Sequence, residues 1–216
     1  MTLKIREPGS AITHFIAMLL ALFSAAPLLV RTSLRSGSTS LAAMSVFICS
    51  MILLYGASTL YHSVNASGKI IRIFKKLDHM MIFILIAGTY TPVCLITLKG
   101  PVGFLLLAAV WGIALTGIII KACWISCPKW FSSALYISMG WICLSVFGTL
   151  WKLLPHAAFF WLLAGGIIYT AGGIIYALKL PIFNARHKFF GSHEIFHLFV
   201  MAGSLCHFIF MYHYVI

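Results

Sequence analysis

Three histidines and one aspartate hold the chemistry this sequence offers. His193 and His197 stand four residues apart, so on a helix both imidazoles leave one face and can grip one cation. His62 would come from another helix as a third nitrogen ligand. Three protein ligands keep a fourth position open on zinc, where a water has its pKa lowered towards ~7. Asp78 is then the base that takes the water's proton or else a fourth ligand, and the residues alone leave both readings open. Ser58, one turn before His62 on the same face, can donate to a developing oxyanion or to the ligand shell. The string His193-Glu194-Ile195-Phe196-His197 also fits H-E-x-x-H, in which the glutamate is the general base of a zinc protease. Glu194 lies about 100° round a helix from His193, which directs it to the headgroups or to a cation such as Lys188 or Arg186.

The elements that position these side chains are membrane helices. Of 216 residues 62% are hydrophobic, 8% are charged and only 3 are acidic. An ionisable group in such surroundings is costly, so Asp78 and the histidines mark function. The apolar stretches approach or exceed the ~20 residues that cross a bilayer, which makes this an all-α polytopic membrane protein. Seven transmembrane helices are predicted at 10–30, 41–63, 77–98, 101–121, 131–151, 156–178 and 191–214, in one domain over residues 1–216. Ser-, Gly-, Pro- and Lys-bearing stretches separate them, 65–76 and 179–188 among them. Lys4 and Arg6 ahead of an apolar run resemble the start of a signal peptide. The run, of about 20 residues, is longer than the roughly 7 to 15 of an h-region, so it is expected to stay as an uncleaved first span.

In a soluble protein a net charge of +12 would suggest nucleic acid. Here the cations fall between apolar segments, where they meet headgroups and set topology, and nucleic acid is excluded as a partner. Eleven of the 15 Lys and Arg, Lys121 and Lys129 among them, collect on the side of the N-terminus. The positive-inside rule therefore predicts a cytoplasmic N-terminus and an external C-terminus. His62 ends its span on the cytoplasmic side while Asp78, His193 and His197 begin theirs there, so three helices bring the four residues to one depth.

At these residues the chain resembles the hemolysin III group of the progestin and adipoQ receptor family, and more widely the membrane hydrolases that include alkaline ceramidases. The matching pieces are Ser58-Thr-Leu-Tyr-His62, Asp78-His79 opening a span that ends Ala87-Gly-Thr-Tyr-Thr-Pro92, Met139-Gly-Trp141, and His193-x-x-x-His197 running on to Gly203-Ser-x-Cys-His207-Phe. The resemblance implies seven helices with a cytoplasmic N-terminus, zinc held by His62, His193 and His197, and Asp78 and Ser58 at the remaining site positions. Glu194 is not part of that pattern. The short N-terminus lacks the long cytoplasmic segment of the animal receptors, which speaks against hormone sensing and suits a bacterial member of the plasma membrane.

The expected function is a zinc-dependent hydrolase of a lipid amide or ester, its substrate entering sideways from the bilayer, with a role in membrane-lipid homeostasis. The alternatives are a non-enzymatic zinc-stabilised sensor or receptor and, less in keeping with the chain, a pore-forming hemolysin. Membrane lipids are the expected partners. The other polar residues have plainer readings: His14 as a packed, hydrogen-bonded histidine that could also line the pocket, and His207 as a packing or pocket group. His79, His156, His187 and His213 are expected at interfaces, with Cys123 and Cys127 as small interfacial residues without partners. Gly165-Gly166 and Gly172-Gly173 allow close helix approach.

Overall fold

A computed structural model describes residues 5–178 and 190–216. Among the described residues, seven helices are long and apolar enough to cross a membrane. They are α1 (Pro8–Arg35), α2 (Ser38–Ser63), α3 (Gly68–Leu98), α4 (Gly100–Cys123), α5 (Lys129–Leu153), α6 (His156–Leu178) and α7 (Ser192–Val215), and the described residues form no strand. The expected 179–188 loop, with Lys179, Arg186, His187 and Lys188, lies outside the described residues, as does Lys4.

Local sequence explains where the helices start and bend. Pro8 opens α1 at a position whose N–H would be unsatisfied in any helix. Pro92 can supply no N–H to the ladder in α3, and the chain widens into a π-helical turn over Val93–Leu98. That turn closes with the Lys99 N–H donating to the Cys94 carbonyl at 3.1 Å. Lys99 (φ 51°) and Gly100 (φ 58°) then take left-handed conformations in succession, which reverses the chain into α4. A 3-10 stretch at Trp141–Val146 interrupts α5, and α7 ends in a second π-helical turn at Met211–Val215.

The first turns of α3 differ from expectation. Residues 68–76, read as loop, are helical and carry Lys69, Arg72, Lys75 and Lys76. At 1.5 Å per residue α3 is about 46 Å long, well beyond a hydrocarbon core of about 30 Å. Its cationic turns are thus a helical extension that the apolar pattern alone could not register.

Packing is closest between α2 and α3, α6 and α7, and α1 and α2. Phe47, Tyr55, Phe83 and Met139 fill the interior, while Phe23, Leu34, Leu105 and Phe160 face outwards where lipid would lie. Small residues set the approach distances: Gly88 faces Ser50 of α2, and Gly172 of α6 faces Phe199 of α7. α1 packs against both α2 and α7, and α2 against α3, which gathers the four helices that carry the candidate site residues.

Candidate metal centre

The last turn of α2 and the first two turns of α7 bring three imidazoles together. His62, His193 and His197 offer ligand atoms that all lie within 4.8 Å of one another. Ring centroids are 5.0 Å apart for His62 and His193, 5.2 Å for His62 and His197, and 4.5 Å for His193 and His197. The Nε2 atoms of His62 and His193 face each other at 3.3 Å. Two imidazoles about 2.05 Å from a tetrahedral ion stand at about that separation, so the donor set fits a metal.

The opposite edges of two rings are held by α1 and the residue before it. The Glu7 carboxylate meets His62 Nδ1, and Thr13 Oγ1 lies 3.1 Å from His197 Nδ1. The Glu7 N–H also donates to the His62 carbonyl at 3.0 Å, and Arg6 donates to the Tyr61 carbonyl at 2.6 Å. A histidine whose Nδ1–H is engaged in this way presents its Nε2 lone pair to a metal. The His62 contact holds the Glu7 carboxyl below the usual range, outweighing partial burial that pushes it up. The sequence reading missed Glu7, Ser10 and Thr13 as parts of the site. One signal was there: Glu7 is among only 3 acidic residues.

Asp78 and Ser58 share a cavity of about 130 Å³ with His14, His193 and His197. Asp78 is not among the ligand atoms clustered within 4.8 Å; its Oδ2 lies 3.4 Å from His79 Nδ1. Ser58 is fully buried and its Oγ has no hydrogen-bond partner among the described residues. The remaining walls are largely apolar or aromatic, with Tyr136 and Tyr176 among them. A second cavity of about 70 Å³ shares Thr89, Tyr90, Gly140, Trp141 and Gly166 with the first and reaches His207.

Several expectations are corrected here. Glu194 does not reach out to the headgroups: it accepts hydrogen bonds from Ser10 Oγ and, at 2.7 Å, from the Gly191 N–H, so it ties α7 to α1 and caps its own helix. It does not line the cavity, and its expected cation partners lie outside the described residues. His79, expected at an interface, also lines the cavity, with Nδ1–H directed to the Lys75 carbonyl at 2.9 Å. His14 does pack into the pocket, stacked on His197 at 3.6 Å between centroids, yet neither of its nitrogens has a hydrogen-bond partner among the described residues. His207 is a buried pocket group, as expected, and its ring packs on Gly165.

The sequence model of the family described as Haemolysin-III related matches residues 3–208. The chain belongs to that family. It is 39% identical over 210 residues to Hemolysin-3 of Bacillus cereus, covering 97% of this chain and 92% of that one. It is 37% identical over 198 residues to a Hemolysin-3 homolog of Bacillus subtilis, covering 92% and 89%. A more distant relative, Progestin and adipoQ receptor-like protein 1 of Caenorhabditis elegans, is 26% identical over 225 residues, or 94% of this chain and 50% of that one. With its seven membrane-length helices, this haemolysin III family member is a multi-pass protein of the plasma membrane, carrying three histidines able to hold a metal ion.

Proposed function

We propose that the metal is zinc and that the protein is a hydrolase of the bilayer, cleaving an amide or ester bond of a lipid and serving membrane-lipid homeostasis. The observation that carries this reading is the shared cavity: the histidine cluster opens on a space whose other polar walls include Asp78 and Ser58 and whose remainder is mostly apolar. An all-imidazole donor set suits zinc, and three protein ligands are the number found where zinc is catalytic. Bound zinc would supply Lewis acidity to a water and to the scissile carbonyl.

The chain's own residues account for the rest. Asp78, in the cavity but outside the histidine cluster, takes a proton from the attacking water in this reading. Ser58 Oγ, buried with no partner among the described residues, is free to donate to oxygen as negative charge develops on it. The apolar walls accept a lipid chain and exclude bulk water, which strengthens both contacts. The cation asymmetry supports a cytoplasmic N-terminus, which puts the centre in the inner leaflet.

The test measures zinc content and hydrolysis of a long-chain lipid amide and ester in the same preparations of wild type, Asp78→Asn and Glu194→Gln. Asp78→Asn should keep zinc and lose about 10²- to 10⁴-fold in turnover, the usual share of acid-base catalysis. Glu194→Gln should keep activity, because its contacts are to Ser10 and the Gly191 backbone. An active Asp78→Asn beside a dead Glu194→Gln would move the base to Glu194. Zinc-loaded wild type that turns over neither lipid class would instead favour the receptor reading, which the name of the Caenorhabditis elegans relative supports.

A further inference from the structure

Lys121 was counted in the sequence as a loop cation, yet at the last turn of α4 it is only 1% exposed. A buried ammonium is expensive unless it is paired and hydrogen-bonded. The chain has just 3 acidic side chains, and all are described. Glu7 meets His62, Asp78 lies beside His79, and Glu194 is held by Ser10 and Gly191. Lys121 therefore has no carboxylate side chain as a partner among the described residues. Its Nζ donates to Ser132 Oγ and, at 3.1 Å, to Cys127 Sγ, and the Tyr136 ring centroid lies 5.9 Å away. Cys127 Sγ and Ser132 Oγ are 3.3 Å apart, which closes a triangle. Cys127, expected as a small interfacial residue with no metal or redox partner, is instead buried against Lys121 and Ser132.

Within that triangle only the thiol can readily carry a negative charge near neutral pH. Burial works against the thiolate, but the contacts with Ser132 and Lys121 outweigh it and hold the Cys127 thiol below its usual range. Cys127 is itself buried, but it sits in the short loop between α4 and α5 next to exposed Pro128. That loop is the side from which a small oxidant would reach it.

We propose that Lys121 and Cys127 form a buried ion pair, and that its thiolate makes the α4–α5 corner an oxidation site which closes reversibly into a sulfur–nitrogen bond between the two side chains. The oxidant is a peroxide. The thiolate attacks one peroxide oxygen and the O–O bond breaks; sulfur loses two electrons to become a sulfenic acid, and the peroxide is reduced to hydroxide. The Lys121 ammonium protonates that hydroxide to water and becomes a free amine. The amine then attacks sulfur, forming the S–N bond as the S–O bond breaks and a second water leaves. An ion pair and one hydrogen peroxide thus give a sulfenamide and two waters. A thiol reductant reverses the bond. Tyr136, under the ammonium, also lines the main cavity, so the closed bond loses its cation beside the proposed substrate space.

The experiment treats the full chain in lipid discs with hydrogen peroxide and digests it with trypsin. The bond should leave a peptide lighter by two hydrogen atoms and uncut after Lys121, and both changes should revert with a thiol reductant. A Cys123→Ser background should give the same result, and Lys121→Arg should stop at a sulfenic acid on Cys127 that dimedone captures. A Cys123–Cys127 disulfide would also remove two hydrogens, but trypsin would still cut after Lys121. That product, or a Cys127 left unoxidised while exposed Cys123 reacts, would overturn the proposal.

Discussion

Glu7 shows how a candidate metal centre can rest on a residue that no local pattern announces. Its carboxylate reaches His62 across 55 positions of sequence and orients a ring whose other nitrogen faces the cluster. Such outer contacts commonly account for about 10- to 100-fold in metal affinity. Glu7→Ala should therefore weaken zinc binding by about that factor, with Glu7→Gln in between because it keeps an acceptor and loses the charge. Competition against a chelator of known affinity measures it, and equal affinity in all three chains would show that His62 needs no support from this carboxylate. The histidine cluster was legible because spacing reports a helix face: His193 and His197 are four apart, and Ser58 and His62 repeat the pattern. Glu7, Ser10 and Thr13 were not, because their partners are fixed only once α1 docks. Glu194 was rightly set apart from the zinc-protease pattern but was expected at the headgroups or on a cation, because its partners, Ser10 and the Gly191 N–H, are fixed only by the docking of α1 and the start of α7.

At the scale of the helix, apolar runs revealed seven spans, but not the wide turns within them. The π-helical turn after Pro92 places the Cys94 carbonyl against Gly103 of α4, where a Cβ would strike that oxygen with the carbonyl carbon only 3.2 Å away. Backbone cannot yield as a side-chain tip can. Gly103→Ala should destabilise the protein by about 1 to 3 kcal/mol, the range of overpacked sites. Gly112, also in α4, has no neighbouring atom within 4 Å of the point where a methyl group would stand, so Gly112→Ala should stabilise by about 0.5 to 1 kcal/mol through helix propensity. Thermal unfolding of both variants in one detergent checks the contrast. Similar behaviour of the two would mean that the turn at Val93–Leu98 moves away from α4. The start of α3 was missed because its charged residues break an apolar run without breaking a helix; Lys and Arg are good helix formers.

Over the whole molecule, the cations decide how the chain sits in the bilayer. Cationic α3 turns and the Lys129 region share one end of the bundle with the histidine cluster, whereas Arg31, Arg35, Lys99 and Lys152 lie at the other. Lys121 belongs to the first end by position, yet its charge is turned inward, so it contributes less to the headgroup contacts than its place in the sequence suggests. Removing it from the count leaves a clear excess on the metal-site side. The positive-inside rule then predicts that single cysteines at positions 69 and 72, in an otherwise cysteine-free chain, label only from the cytoplasm, and that a reporter fused after Ile216 reports the outside. The two halves of the test guard each other, because an odd number of spans forces the termini to opposite faces. Labelling of α3 from outside would invert the molecule, move the histidine cluster to the outer leaflet, and require the lipid to be drawn from there.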